Sequence, residues 1–434
     1  MTDQRQLGRE FARAFGGRPP AVLSRAPGRI NLIGAHADYN GGFVMPAAID
    51  LSAVVLARPR RDRRVRIVSL ARKERADLSL DQAPHSVRPH WALYPLGVAR
   101  LLEEEGIILP GCDLLIGGDV PIGGGLSSSA ALEVACALAY LRLARARLVR
   151  RDLARLCRKA ENEFAGVRCG IMDQFASLFG QAGQVLLLDC RYLDYEKIPL
   201  PDTVRIAVCD SRVRRSWADP DAVPRLRAAV GPICERAAKP PLPRSGLQGD
   251  RRSPPEIRGR TKGLPVQYNL RRAECEEGVE RLGKYLPGIE SLRDVSPSDL
   301  KKFAARLPPV IGKRCAHVVN ELRRTLSAAA KLKKGDLAGF GRMMFASHAS
   351  CRDLYEVSSP ELDCLVGAAR RVPGVYGSRL TGAGLGGCTV SLVAEEAVEA
   401  FRSAVSEAYS LRFEKLPEIT VCRPSAGASA ETIH

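Results

Sequence analysis

The stretch Val120-Pro-Ile-Gly-Gly-Gly-Leu-Ser-Ser-Ser-Ala-Ala-Leu132 constrains the fold more than any other part of the chain. Three consecutive glycines weaken any helix or strand, so a tight turn belongs here, and the Ser/Ala/Leu-rich run behind it predicts a long helix over 126–148. Ser127, Ser128 and Ser129 suit a helix start, because their hydroxyls can satisfy backbone N–H groups that have no partner in the first turn. Gly123, Gly124 and Gly125 leave N–H groups open to an anion, and the helix dipole favours negative charge at that end. The run reads as a phosphate cradle, although taken alone it also serves as a plain tight turn. No G-x-x-x-x-G-K-[ST] occurs in the chain. A nucleotide bound here would have its phosphates neutralised by backbone, hydroxyls and metal.

Around this segment the first half alternates apolar runs, Gly-rich turns and Ala/Leu-rich stretches, the pattern of layered α/β or α+β structure. Strands are predicted at 67–70, 185–188, 204–209 and 388–393, and further helices at 151–164, 269–285 and 318–332. Leu7, Phe11 and Phe15 recur every four residues, which predicts a short docking helix at the N-terminus rather than an export signal. The 434 residues, at roughly 150 per domain, allow two or three domains. A boundary near 195 separates an N-terminal domain, 1–195, from a C-terminal one, 196–434. Within the latter, 218–266 is rich in Pro, Gly and charge with little to bury, and reads as a mobile surface insertion.

Several function classes fall away on composition. The longest apolar stretch, 132–148, is interrupted by Arg142, Arg145 and Arg147, so no membrane span is expected. Thirteen cysteines without a C-x-x-C argue against a disulfide framework or a thiolate zinc site, and a reducing, cytoplasmic setting is expected. The formal charge of +18 invites a nucleic-acid partner. However, seven Lys or Arg against two acids crowd into 239–266, and aromatics make up only 5% of the chain, so no stacking surface accompanies the charge.

Three further segments carry polar chemistry. Between Pro27 and Gly42, Arg29, Asn31, His36, Asp38 and Tyr39 lie among glycines, a density of donors and acceptors that suits an array of sugar hydroxyls. Each buried hydroxyl left unpaired costs about 1–3 kcal/mol. Asp173 sits among Ile171, Met172 and Phe175, where a carboxylate needs partners; it is either a structural cap or a positioned catalytic group. Gly382-Ala-Gly-Leu-Gly-Gly387 matches G-x-G-x-x-G, but too little chain follows it to complete a dinucleotide-binding unit, and a loop packed under a phosphate fits better.

Together GRINLIGAHADYNGG, PIGGGLSSSAA and GSRLTGAGLGGCTV resemble the three motifs of the GHMP kinase superfamily, and CGIMDQFAS, YNLRRAECEE and SHASCRDLYEVSSPELD resemble its galactokinase branch. The likeness covers nearly the whole chain apart from roughly 218–266. It implies a two-domain α+β fold with the active site in the cleft between the domains, and transfer of the ATP γ-phosphoryl group to the anomeric hydroxyl of a sugar. By position it implies that Asp173 takes or orients the hydroxyl proton and that Arg29 steadies it and the moving phosphoryl group. It further implies that Ser129 and Glu161 hold Mg²⁺, and that the segment Gly123, Gly124, Gly125, Leu126, Ser127, Ser128 and Ser129 binds ATP. Position 35, His36, Asp38, Gly170 and Tyr268 would contact the sugar. Small-molecule sugar and ATP are thus the implied partners, with neither nucleic acid nor membrane.

One departure bears on the substrate. Galactokinases usually have Glu where this chain has Ala35, and the resulting GAH resembles the galacturonokinase branch. Losing a charged hydrogen bond costs galactose about 1.5–3 kcal/mol. A sugar with a C6 carboxylate would instead escape a repulsion of about 4 kcal/mol at 4 Å and an effective dielectric of 20. These expectations favour D-galacturonate over D-galactose, with Arg212, Arg214 and Arg215 as candidate carboxylate partners. A non-catalytic sugar sensor is the alternative of another class, against which the intact SSSAA and IMDQ segments argue.

Overall fold

Residues 4–82, 87–213 and 266–433 of a computed structural model are described. Arg214, Arg215 and the 218–265 part of the predicted insertion lie outside the described residues. The chain builds two main β-sheets with helices on both faces. In the first sheet, β1 (Val22–Asn31), β3 (Pro46–Pro59), β4 (Arg64–Ser69), β5 (Glu74–Ser79), β6 (Cys112–Gly118) and β13 (Ser429–Thr432) take the order β13-β1-β3-β6-β4-β5. Only β4 and β6 run parallel. A three-stranded sheet, β2-β7-β8, is made from Phe43–Val44, Gln184–Asp189 and Tyr195–Pro199. The second main sheet is antiparallel, in the order β10-β11-β9-β12. Its strands are β9 (Val204–Asp210), β10 (Val375–Leu380), β11 (Cys388–Ala394) and β12 (Glu418–Cys422). The last strand, β13, returns to the first sheet, where Val22 faces Thr432. The two ends of the chain are thereby tied together.

One face of the first sheet carries α2 (Leu93–Glu104), α3 (Ser128–Leu143), α4 (Arg150–Ala160) and α5 (Met172–Phe179). Helix α3 shows no one-sided apolar stripe, because the sheet and its neighbouring helices enclose it from several sides. It ends at Leu143, earlier than the 126–148 pattern predicts, since Arg145 takes a left-handed backbone that stops the helix. The opposite face is covered by α1 (Gln4–Phe15), whose Leu7 and Phe11 bury against Leu23, Val54, Leu56 and Leu115. This is the predicted docking helix.

The remaining helices are α6 (Val266–Gly283), α7 (Pro297–Phe303), α8 (Pro309–Lys333), α9 (Leu337–Asp353), α10 (Pro360–Arg370) and α11 (Val398–Phe413). Helices α10 and α11 cover one face of the second sheet. Its other face shares a core with the first sheet, in which Ile30, Ile33 and Met45 meet Ile206, Val208, Val390, Phe340 and Met344. The glycine-rich 381–387 segment joins β10 to antiparallel β11 as a hairpin loop. That connection excludes a strand-to-helix dinucleotide site, as its position in the sequence predicts.

Candidate active site

The site forms where β1, the 119–127 loop and the N-termini of α3 and α5 converge. Strand β1 has a register shift between Pro27 and Arg29. A bulge of this kind re-aims a side chain. Gly28 lets the loop approach: a Cβ there would lie 2.8 Å from the Leu126 carbonyl oxygen. The Arg29 N–H donates to that same carbonyl at 3.1 Å.

Arg29 then grips Asp173, in the first turn of α5, through two parallel bonds, Nε to Oδ1 and Nη2 to Oδ2, both 2.6 Å. Its third nitrogen, Nη1, donates to the Gly125 carbonyl at 2.9 Å. One guanidinium therefore fixes both the carboxylate and the glycine loop. Ser127 adopts a left-handed backbone, φ 59°, just ahead of α3. Its hydroxyl does not cap the helix, as the sequence reading expects, but donates to Asp173 Oδ2 at 2.5 Å. The Ser129 hydroxyl is likewise directed away from the backbone, donating to Glu161 Oε1 at 2.9 Å. The first-turn N–H groups of α3 receive no side-chain cap at its N-cap and lie beside the glycines, the arrangement that receives an anion.

Glu161 lies where the predicted 151–164 helix loosens into a π-turn, Glu161–Ala165. Burial, then the charge of Asp173, pushes its carboxyl up to about 7. Gln174 Nε2 donates to Glu161 Oε2 at 2.7 Å and to Glu133 Oε2 at 3.1 Å, while Cys169 Sγ lies 3.4 Å from Glu161 Oε2. Among the described residues no group of three His, Cys, Asp or Glu is arranged to hold a metal. Ser129 and Glu161 nevertheless place a hydroxyl and a carboxylate side by side. A hard, oxygen-seeking ion that takes few protein ligands and completes its shell with phosphate and water fits such a pair.

The 31–42 loop closes the other side. Asp38 approaches Gly170 so nearly that a Cβ on Gly170 would sit 2.1 Å from its Oδ2. Burial, then the charge of Asp173, raises the Asp38 carboxyl to about 6. His36, also left-handed at φ 56°, accepts or donates at Nδ1 with the Tyr39 hydroxyl at 2.9 Å. Tyr39 continues to Tyr355 at 2.7 Å. Tyr268, in the first turn of α6, stands with its ring 6.0 Å from that of His36 and 5.2 Å from that of Tyr39. Backbone strain of this kind at His36 and Ser127 persists only where the surroundings enforce it.

Arg29, Asp173, Ser127, Ser129, Glu161, His36, Asp38, Gly170 and Tyr268 thus form one continuous site. Ala35 is buried. Arg212 is not part of it: its side chain reaches Glu418 at 3.3 Å, and both are exposed. The sequence reading missed Glu321, His317 and Tyr355, which the C-terminal half contributes beneath the 31–42 loop. His317 and Glu321 lie at the i and i+4 spacing that puts two polar side chains on one helix face, whereas Tyr355 follows the end of α9 and carries no such signal.

A strand-borne arginine, a glycine-rich loop opening a helix and a helix-borne aspartate, set between two mixed α/β layers, define a GHMP kinase. Family models described as "GHMP kinases N terminal domain" and "GHMP kinases C terminal" match 94–181 and 328–411. A "Galactokinase galactose-binding signature" matches 9–59. The chain belongs to the galactokinase family and is a sugar kinase. It is 43% identical to a galactokinase of Roseiflexus sp. (strain RS-1), over 98% of this chain and 97% of that one. It is 39% identical to the galactokinase of Homo sapiens, over 92% and 91% of the two chains. The crystal structure of Lactococcus lactis galactokinase complexed with galactose superposes with a TM-score of 0.82 at 32% identity, covering 98% of this chain and 99% of the other.

Proposed function

We propose that the protein transfers the γ-phosphoryl group of ATP to the anomeric hydroxyl of D-galactose. The observation that carries this reading is the two-point Arg29–Asp173 contact at 2.6 Å, locked to the phosphate loop through Gly125 and Ser127. In the reaction the sugar O1–P bond forms and the bond from the γ-phosphorus to the ADP oxygen breaks, while the O1 proton passes to the Asp173 carboxylate. Arg29 holds that carboxylate in place and puts positive charge next to the moving group. The loop N–H groups and the α3 dipole take up the phosphate charge, so the protein acts mainly by positioning and electrostatics. Ser129 and Glu161 would hold Mg²⁺, which neutralises phosphate charge when bound. His36, Asp38 and Tyr268 would receive the sugar hydroxyls, with Gly170 leaving room for Asp38.

Galactose replaces galacturonate as the favoured substrate. Relatives named galactokinase cover almost the whole chain, and the galactose-binding signature spans the 31–42 loop despite Ala35. Of the three guanidiniums that the sequence reading offered to a C6 carboxylate, Arg212 is turned toward Glu418, and Arg214 and Arg215 lie outside the described residues. The sensor reading is disfavoured by a fully formed Arg29–Asp173–Ser127 cluster, which sugar binding alone does not require. The domain boundary is better placed between Pro199 and Val204, where the chain changes sheet, since 195 falls at the start of β8, and β13 crosses back to the first sheet. Among the described residues the cysteines are free, and no helix is long and apolar enough to cross a membrane. The deciding experiment is sugar-dependent ADP release with D-galactose and D-galacturonate, the product identified by ³¹P NMR. A kcat/KM at least tenfold higher for galactose is expected; no release with galactose, or preference for galacturonate, overturns the assignment.

A further inference from the structure

The 31–36 segment comes from the N-terminal half, yet its backbone is held by side chains of α8 and α9. Glu321, fully buried on α8, accepts the Gly34 and Ala35 N–H groups on Oε1, each at 3.0 Å, and the Ser347 hydroxyl on the same oxygen at 2.5 Å. Its other oxygen pairs with Arg324. One turn earlier on α8, His317 stands 3.1 Å from the Ala35 carbonyl through Nε2 and 2.8 Å from the Ser350 hydroxyl through Nδ1. A carbonyl can only accept, so Nε2 carries the proton and Nδ1 accepts from Ser350. Both polar backbone atoms of Ala35 are therefore met from the other half of the molecule. Arg379 adds a third hold, donating from Nη1 to the Asn31 carbonyl at 3.1 Å.

The geometry points to Glu321 and His317 as positioning residues for sugar recognition, clamping the Gly34–Ala35 peptide and so setting where His36 and Asp38 stand. Both side chains are wholly buried and bond to the backbone of the loop. His36 follows the clamped peptide directly, with Asp38 two residues further on, and His36 is held in a left-handed backbone that an unclamped loop would leave. The phosphate loop receives no contact from Glu321 or His317 among those described, so the clamp acts on the sugar side of the site. The inference rests on the reading of 31–38 as a sugar loop.

The test pairs hydrogen exchange of the ligand-free, full-length protein with steady-state kinetics. In Glu321→Ala the Gly34 and Ala35 amides are expected to exchange at least tenfold faster. The galactose KM should rise about tenfold or more while the ATP KM stays within twofold. Glu321→Gln keeps an oxygen acceptor for both amides, and should restore protection and a galactose KM within threefold of the parent. If Glu321→Ala does not fold, His317→Leu, which leaves the Ala35 carbonyl without its donor, is read for the same KM split. Unchanged exchange at residues 34 and 35, sugar and ATP KM values rising together, or equal loss in the Gln and Ala variants each overturns the clamp. A parent enzyme without galactose-dependent ADP release would instead sink the kinase reading, and the exchange data would still decide the clamp.

Discussion

Asp173 and Asp38 are carboxylates on opposite sides of one small site, and their surroundings give them different tasks. Asp173 is held by a guanidinium and a hydroxyl, an arrangement that suits the proton-accepting role proposed for it. Asp173→Asn keeps the shape but loses the proton acceptor, so turnover should fall by about 10²–10⁴-fold with ATP affinity nearly unchanged; turnover and nucleotide titration check this. Asp38 is raised from 3.8 to about 6, by burial first and by Asp173 second. At saturating Mg²⁺, kcat/KM for galactose should therefore decline below about pH 6 as Asp38 takes up a proton and loses its capacity to accept a sugar hydroxyl. The sign is opposite for stability. The folded chain binds the Asp38 proton more tightly than the unfolded one, so the contribution is present below 3.8 and lost as pH rises through about 6. Asp38→Asn should accordingly raise Tm at pH 8 while weakening sugar binding, and a scan at pH 4 should show little gain. These two aspartates were legible in the sequence because each is a lone acid among apolar residues or glycines. The route of the serine hydroxyls was not, since local capping and a partner 46 residues away compete, and only the folded distance decides.

At the scale of elements, α1 illustrates a pattern that could be read directly. Leu7 and Phe11 recur on one helical face and find apolar strand residues beneath them, with Phe11 wholly buried. Phe11→Ala should lower stability by about 3–5 kcal/mol, seen by denaturant unfolding, with kinetic constants at 25 °C unchanged because α1 lies on the sheet face away from the site. Helix α8 shows the opposite case. Its periodic stretch was predicted at 318–332, yet the helix begins at Pro309 and its functional weight lies in His317 and Glu321, the first of them just ahead of that stretch. Buried polar residues interrupt an apolar pattern, so periodicity underestimates the elements that carry them. The π-turn at 161–165 was hidden for a similar reason, as looser winding leaves no mark on composition.

For the whole molecule, the shared apolar core is the decisive feature. Ile30, Ile33 and Met45 pack with Ile206, Val208, Val390 and Phe340, and β13 returns to the first sheet, so neither half keeps a complete core alone. Calorimetry should give a single unfolding transition, and Phe340→Ala should move it as a whole; two separated transitions would contradict a shared core. The sequence alone marked the glycine-rich turn and the α+β layering, because glycine conformation and apolar periodicity act over a few neighbouring residues; the Arg29–Asp173 pair, 144 positions apart, was reached only through the family resemblance. Tertiary structure alone decided which side chains hold the 31–36 segment and where Arg212 points. Residues nearly 290 positions apart meet there, and no local preference encodes a contact that exists only after the two sheets have packed.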